Sequence, residues 1–304
     1  MMQQRELSSS IGDLIDEYDN FIFDCDGVIW QGGQLISGVK TTLELLRNKG
    51  KKYTFVTNTS SRSRSDMWSK FADLGLSELT SKEMMHPSCY YAARVVKERH
   101  PDARRIYVIG GRGIVDELSE LGITCVTEGQ SRDCGDTTMT EEKFRVMADE
   151  MTESSSPKID GIVLGWDLAF SFNKLCRVSL AFELAQNDNF FFYATNDDMF
   201  DQIGPWRIPA TGTILASLNA VARMNGREEA EVLGKPNPDF LRFVIDQEGF
   251  DASRSIVIGD RLDTDILMAK RAGVASCLAL SGCCSKAELA ESNTQFDGKH
   301  NIDA

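Results

Sequence analysis

Short apolar runs alternate with amphipathic stretches along most of this chain, and that alternation leaves few folds open. The runs lie at 21–24, 53–57, 106–109, 161–164, 190–194, 255–259 and 275–280. Most are apolar without a break, as in Phe21-Ile22-Phe23 and Ile256-Val257-Ile258, rather than alternating with polar residues. A continuous run of this length suits a strand covered on both faces, the usual state in a parallel sheet. Stretches with helical spacing fall between the runs, at 38–49, 63–74, 88–99, 114–121, 141–151, 173–186, 212–224, 238–248 and 263–272. Strand and helix in alternation predict βαβ units and an α/β fold with a parallel sheet. The segments richest in turn and polar residues, 127–140 and 153–158, both sit in the middle third and are expected to be loops. Ligands of open parallel sheets bind at the carboxyl ends of the strands, so the residues that close each run carry most of the functional information.

Four short motifs stand out, three at the ends of these runs and one just before a helix. Asp24-Cys25-Asp26-Gly27 follows the first run. Two carboxylates at i and i+2 beside a glycine suit a divalent cation, a nucleophile and a proton carrier, or an ordinary Asp-rich turn. Thr57-Asn58-Thr59-Ser60 follows the second run, and its hydroxyls, amide and backbone N–H groups at a helix start make an anion cradle or an N-cap. Gly234-Lys235-Pro236 precedes a helix, where the ammonium can neutralise a phosphate oxygen or lie solvated at the surface. Ser255–Gly259 ends in Asp260, with Asp263 and Asp265 opening the next helix as dipole-favoured acids or as part of a site. Gly110-Gly111-Arg112-Gly113 lacks dinucleotide-loop spacing and reads as a tight strand-to-helix turn.

Composition removes several alternatives. The formal charge of −13 disfavours nucleic-acid binding by phosphate neutralisation. No apolar stretch reaches membrane-spanning length, and residues 1–10 lack the apolar segment of a secretory signal, so no membrane partner is expected. For the same reason the Asn58-Thr59-Ser60 sequon carries no glycosylation. The eight cysteines form no C-x-x-C pair and fit a reducing, cytoplasmic setting without structural zinc. Cys25 lies between the two acidic residues, either as an oxidation-sensitive thiol or as a packed one. The three histidines, His86, His100 and His300, are expected at the surface, which disfavours histidine chemistry.

Taken in order, D-x-D-G, T-N-T-S, G-K-P and G-D-x-x-x-x-D resemble the four signatures of the haloacid dehalogenase superfamily of phosphotransferases. The stretches Phe192–Asp198, Gly212-Thr213 and Gly259–Ile266 resemble its p-nitrophenylphosphatase, phosphoglycolate phosphatase and pyridoxal phosphate phosphatase branch, from about residue 15 to 285. The resemblance implies a doubly wound, Rossmann-like core, expected at 1–84 and 209–304, with an α/β cap inserted at 85–208. It implies a phosphoric monoester hydrolase in which Asp24 attacks to form an aspartyl-phosphate and Asp26 moves the proton. Thr57, Asn58, Thr59 and Lys235 would bind phosphate. Asp24, the Asp26 carbonyl and Asp260 would hold Mg²⁺, with Asp265 orienting waters or Lys235. Those acids bring up to four negative charges to a dianionic substrate. One pair at 4 Å is worth roughly 4 kcal/mol at an effective dielectric near 20, so the cations are needed.

The expected substrate is a small phosphomonoester, 2-phosphoglycolate or a generic aryl or alkyl phosphate, chosen by cap residues such as Trp166 and Asp201. Family members acting on pyridoxal phosphate carry a histidine in the stretch that here runs from 197 to 206 and contains none. Asp197, Asp198 and Asp201 sit awkwardly with an anionic acid such as phosphoglycolate. A phosphoprotein phosphatase and a non-catalytic phosphate-binding scaffold remain as alternatives, and a homodimer through the cap is the expected assembly. Family members close with a further strand and helix, whereas 285–304 is polar here.

Overall fold

The structure is a computed structural model describing residues 12–127, 140–152, 158–185, 189–203 and 206–284. The tail expectation for 285–304, His300 and most of the two middle loops lie outside the described residues. Two compact units are present, one from the described residues of Met1–Asn58, Arg64–Ser88 and Lys235–Ala304, the other from Thr59–Ser63 and Cys89–Gly234.

The first unit is built on a five-stranded parallel sheet in the order Ala275–Leu278, Ser255–Gly259, Asn20–Phe23, Lys52–Thr57, Met85–Pro87. Asn20–Phe23 is the central strand and all four of its residues are buried. This explains its unbroken apolar sequence, since helices cover both faces of such sheets. Phe21, Phe23, Phe55 and Phe71 fill the core with Leu43, Leu46 and Met67. Phe55 and Phe71 approach to 4.4 Å between ring centroids, within the range where aromatic pairs attract beyond their buried area. The helix Pro238–Glu248 begins by two local rules. Asn237 accepts a hydrogen bond from the Asp239 N–H, and Pro238 occupies the first turn.

The second unit has its own five-stranded parallel sheet, ordered Glu231–Val232, Phe191–Ala194, Gly161–Leu164, Arg105–Ile109, Thr124–Val126. Its core holds Tyr107, Ile109, Ile162, Leu164, Leu180, Phe182 and Phe192. The helix Thr211–Met224 buries Ile214, Leu215, Leu218 and Ala222 in that same core, and Glu231–Val232 pairs with Tyr193 and Ala194. Residues 209–234 therefore belong to the second unit, not to the first as expected from sequence. An apolar helix face shows that it will be buried, but not against which sheet.

The glycine run 110–113 has a packing role. A Cβ on Gly113 would come within 2.7 Å of the Arg62 nitrogen, while the Gly113 N–H donates to the Ser61 carbonyl at 3.2 Å. Glycine there admits the 59–63 segment against the start of the helix Arg112–Glu120.

Two short antiparallel hairpins, Trp30–Gln31 with Gln34–Leu35 and Phe200–Ile203 with Trp206–Pro209, were not expected. Neither were the three-residue strands Met85–Pro87 and Thr124–Val126. Among the described residues, no helix is long and apolar enough to cross a membrane.

The surface expectation is overturned for His86, whereas His100 is half-buried. His86 is buried in Met85–Pro87, with Nε2 2.7 Å from the Glu248 carboxylate. His100 stacks on Phe191 at 4.2 Å, and its Nε2 lies 2.9 Å from the Tyr193 hydroxyl. His86 is a structural partner within its sheet, and His100 packs on the strand Phe191–Ala194 from the end of the helix Ser88–Arg99.

Candidate active site

Register in the first sheet brings the strand ends to one edge. Phe23 lies opposite both Ile258 and Phe55, so the residues that follow emerge side by side. Asp24 stays tied to the edge by its N–H, which donates to the Ile258 carbonyl at 2.8 Å. Asp260 follows directly from the neighbouring strand, and Thr57 is the buried last residue of the strand on the other side.

Lys235 comes from the opposite end of the sequence into the same cluster. Its Nζ donates to Asp24 Oδ1 at 2.5 Å and to Asp265 Oδ1 at 2.6 Å, and lies 3.5 Å from the Val56 carbonyl. Its backbone is clamped by the Asn58 amide: Lys235 N–H donates to Asn58 Oδ1 at 2.8 Å, and Asn58 Nδ2 donates to the Lys235 carbonyl at 3.1 Å. The Asn58 side chain, expected to bind phosphate, thus holds the lysine segment ahead of the helix Pro238–Glu248 in place. Thr59 starts the segment 59–63, which belongs to the second unit.

The three acidic residues near position 260 separate by burial. Asp260 is 2% exposed and Asp265 1% exposed. Asp263 is exposed and forms a two-point ion pair with Arg261, at 3.0 and 2.8 Å. The π-helical turn Leu262–Ile266 places Asp265 inward and leaves Asp263 out. Such local widening of a helix recurs at functional sites. Asp260 Oδ2 accepts the Cys283 N–H at 2.7 Å. Gly27 is required beside it. Its φ is +82°, and a Cβ there would sit 2.7 Å from the Asp260 carboxyl carbon. Ser281 Oγ donates to the Gly27 carbonyl at 2.7 Å, closing the ring of contacts.

Asp26 differs from its neighbours in being exposed, with one side-chain oxygen, Oδ1, receiving the Trp30 indole N–H at 2.6 Å. Cys25 between the two acids is fully buried, and burial, then Asp24 and Asp26, push its thiol well above the ordinary range. The packed-thiol reading is the one the geometry supports, because the nucleophilic thiolate is disfavoured there.

Carboxylate oxygens of Asp24, Asp260 and Asp265 all lie within 4.8 Å of one another. Burial raises Asp24 well above the usual carboxylate range; Lys235 opposes this, and Asp265 and Asp260 add to it. Burial likewise raises Asp260, against the Cys283 N–H. Burial disfavours the Lys235 ammonium, but Asp24 and Asp265 outweigh that and hold it more firmly protonated than a free lysine. Three buried carboxylates thus share a single ammonium. Hard oxygen donors in this number and closeness fit a hard divalent cation such as Mg²⁺.

The sequence-nominated residues of the second unit are less enclosed. Trp166 Nε1 donates to the Pro209 carbonyl at 3.1 Å, and its backbone N–H to Ser60 Oγ at 3.3 Å. Asp201 is exposed on the hairpin strand Phe200–Ile203, its carboxylate accepting the Gln202 N–H at 2.8 Å. Sequence reasoning missed Trp30, Ser281 and Cys283. An indole four residues after Asp26 was the available signal for the first. Ser281 acts through a hydroxyl far along the chain with no local pattern to mark it, and the backbone role of Cys283 leaves no trace in residue type.

Two family models match the chain, one described as haloacid dehalogenase-like hydrolase over residues 21–124 and one as HAD-hydrolase-like over 232–302. The chain is 34% identical over 302 residues to phosphoglycolate phosphatase 2 of Arabidopsis thaliana, covering 98% of this chain and 94% of that protein. It is 32% identical to the 4-nitrophenylphosphatase of Schizosaccharomyces pombe, covering 92% and 89%. The crystal structure of a 4-nitrophenylphosphatase from Thermotoga maritima superposes with a TM-score of 0.72 at 25% identity, covering 91% of this chain and 92% of that one.

Proposed function

The chain belongs to the haloacid dehalogenase-like hydrolases and is a phosphatase of that type, and from that premise we propose that it hydrolyses small phosphomonoesters through an aspartyl-phosphate with Mg²⁺ as cofactor. The buried Asp24–Lys235–Asp265 cluster beside Asp260 at one sheet edge carries this reading. Asp24 is the nucleophile. Its carboxylate oxygen forms a bond to phosphorus as the bond to the leaving oxygen breaks, and Asp26 gives its proton to that oxygen. Water then attacks the acyl phosphate, Asp26 takes a proton from it, and phosphate leaves with Asp24 restored. Lys235 balances Asp24 in the resting site, and Asp265 holds Lys235 in place. Thr57, at the same edge, is the phosphate-contacting hydroxyl. The Asp24 and Asp260 carboxylates and the Asp26 carbonyl would hold Mg²⁺, which neutralises charge on the phosphoryl group.

This cluster recognises a phosphoryl group and little else, so selectivity is assigned to the second unit, with Trp166 and Asp201 as candidate determinants. Among substrates, 2-phosphoglycolate comes first, because the Arabidopsis relative that matches nearly the whole chain is named for it. The test is a panel of 2-phosphoglycolate, p-nitrophenyl phosphate, pyridoxal phosphate, a sugar phosphate and a phosphopeptide, compared by kcat/KM with Mg²⁺ and with chelator. The expected result is Mg²⁺-dependent turnover with 2-phosphoglycolate highest. Undiminished activity in excess chelator would overturn the metal assignment, and a phosphopeptide rivalling the small esters would overturn the substrate class.

A further inference from the structure

Asp26 is the one exposed carboxylate of the mechanism, and its surroundings hold it in a particular way. After Asp24 the chain makes a tight turn: the N–H groups of Val28, Ile29 and Trp30 all point to the Cys25 carbonyl, and the Gly27 N–H donates to the Trp30 carbonyl at 2.8 Å. Trp30 is thereby folded back over Asp26 and is 1% exposed. Its ring is wedged edge-on against Phe71, at 5.1 Å and 78°. Lys70, from the helix Arg64–Asp73, places its Nζ 3.6 Å from the indole centroid. The indole N–H then meets Asp26 Oδ1 at 2.6 Å.

We propose that Trp30 is a positioning residue for Asp26, with Lys70 securing and polarising the indole. The proposal rests on the proton-shuttle role given to Asp26 above. An exposed carboxylate samples several rotamers, and a donor fixed in a packed ring selects one of them. A cation over the ring face draws on its π density, which strengthens the N–H as a donor. A charge-assisted hydrogen bond of this kind is roughly twice as strong as a neutral one. A merely structural tryptophan would also find a partner for its N–H, so the discriminating readout has to be the proton transfer itself.

Leaving groups provide that readout. An alkoxide is strongly basic and needs the proton from Asp26 as it departs, whereas p-nitrophenolate is a stable anion and leaves without much help. The ratio kcat/KM covers steps up to departure of the leaving group, so it isolates the half-reaction in which Asp26 acts as acid. Trp30→Phe keeps the ring and loses only the N–H. The expected result at saturating Mg²⁺ is a loss of about tenfold in kcat/KM for an alkyl phosphomonoester, as for a lost hydrogen bond to a charged group, with p-nitrophenyl phosphate little changed. Asp26→Asn should show the same selectivity, more deeply. Equal losses on both substrates, or none, in Trp30→Phe while Asp26→Asn retains an alkyl-selective defect would overturn the role of Trp30 and leave the mechanism standing. An Asp26→Asn enzyme with no alkyl-selective defect would overturn both. Should Trp30→Phe fail to fold, Lys70→Met decides: an alkyl-selective loss supports the proposal and unchanged selectivity refutes it.

Discussion

Lys235 shows how much of this site rests on one side chain. It is nearly inaccessible, yet charged, because two carboxylates meet it at 2.5 and 2.6 Å. Removing one partner of a buried pair costs about 3–5 kcal/mol when the other charge is left uncompensated. In Lys235→Met the cluster loses its cation, and Asp24 and Asp260, whose pKa values burial already raises, respond by taking up protons. Their native pKa values then lie further above the unfolded value than in the parent. The native state binds more protons than the unfolded state, so stability falls as pH rises through that window. The expected outcome in chelator is a Tm deficit relative to the parent that is larger at pH 8 than at pH 5, together with loss of phosphatase activity. Thermal melts of both proteins across that range check it, and a deficit independent of pH would count against the charge-sharing account. Asp263 makes the complementary point. It has the same side chain as Asp265 two residues away, yet it is exposed and paired with Arg261, and sequence proximity alone gives no means of telling them apart.

Short elements place residues that the pattern of long ones misses. Met85–Pro87 is three residues long, too brief to register as an apolar run, yet it completes the edge of the first sheet. Because of it, His86 faces Glu248 at the end of the helix Pro238–Glu248, with the Thr54 hydroxyl 3.2 Å from the same carboxylate. Burial lowers the His86 pKa, Glu248 opposes the shift, and Arg64 adds to it. A histidine held neutral in the native state binds fewer protons than in the unfolded chain below its free pKa near 6.5. Its contribution to stability is therefore present above that pH and lost as pH falls from it toward the depressed native value. Melting curves should show a Tm decline between pH 7 and pH 5 that is shallower in His86→Gln than in the parent; identical slopes would exclude this histidine as a source. The π-helical turn Leu262–Ile266 is the other short element with a large effect, since it decides which acid of the Asp263/Asp265 pair enters the cluster.

For the whole molecule, the division of labour between the two units follows from where chemistry is concentrated. Asp24, Asp26, Thr57, Lys235, Asp260 and Asp265 all belong to the first unit, whereas Trp166 and Asp201 belong to the second. A cation bound by the native cluster, and not by the unfolded chain, raises stability by RT ln(1 + [L]/Kd), about 2.7 kcal/mol at a hundredfold excess over Kd. Mg²⁺ is therefore expected to raise Tm in the parent and to do so far less in Asp260→Asn, in a measurement that needs no turnover. An equal shift in both proteins would place the responsible cation elsewhere.

The alternation of apolar runs determined a parallel α/β architecture, and the order of the four short motifs pointed to the chemical class, because the topology of the first sheet brings the strand ends that carry Asp24, Thr57 and Asp260 to one edge. These signals are local and survive in the bare sequence. The tertiary structure decided the rest. It assigned residues 209–234 to the second core, turned Asp265 inward and Asp263 outward, recruited the Asn58 amide to clamp Lys235, and set Trp30 against Asp26. Each of these depends on which surface a segment packs against, and that choice is made by distant parts of the chain.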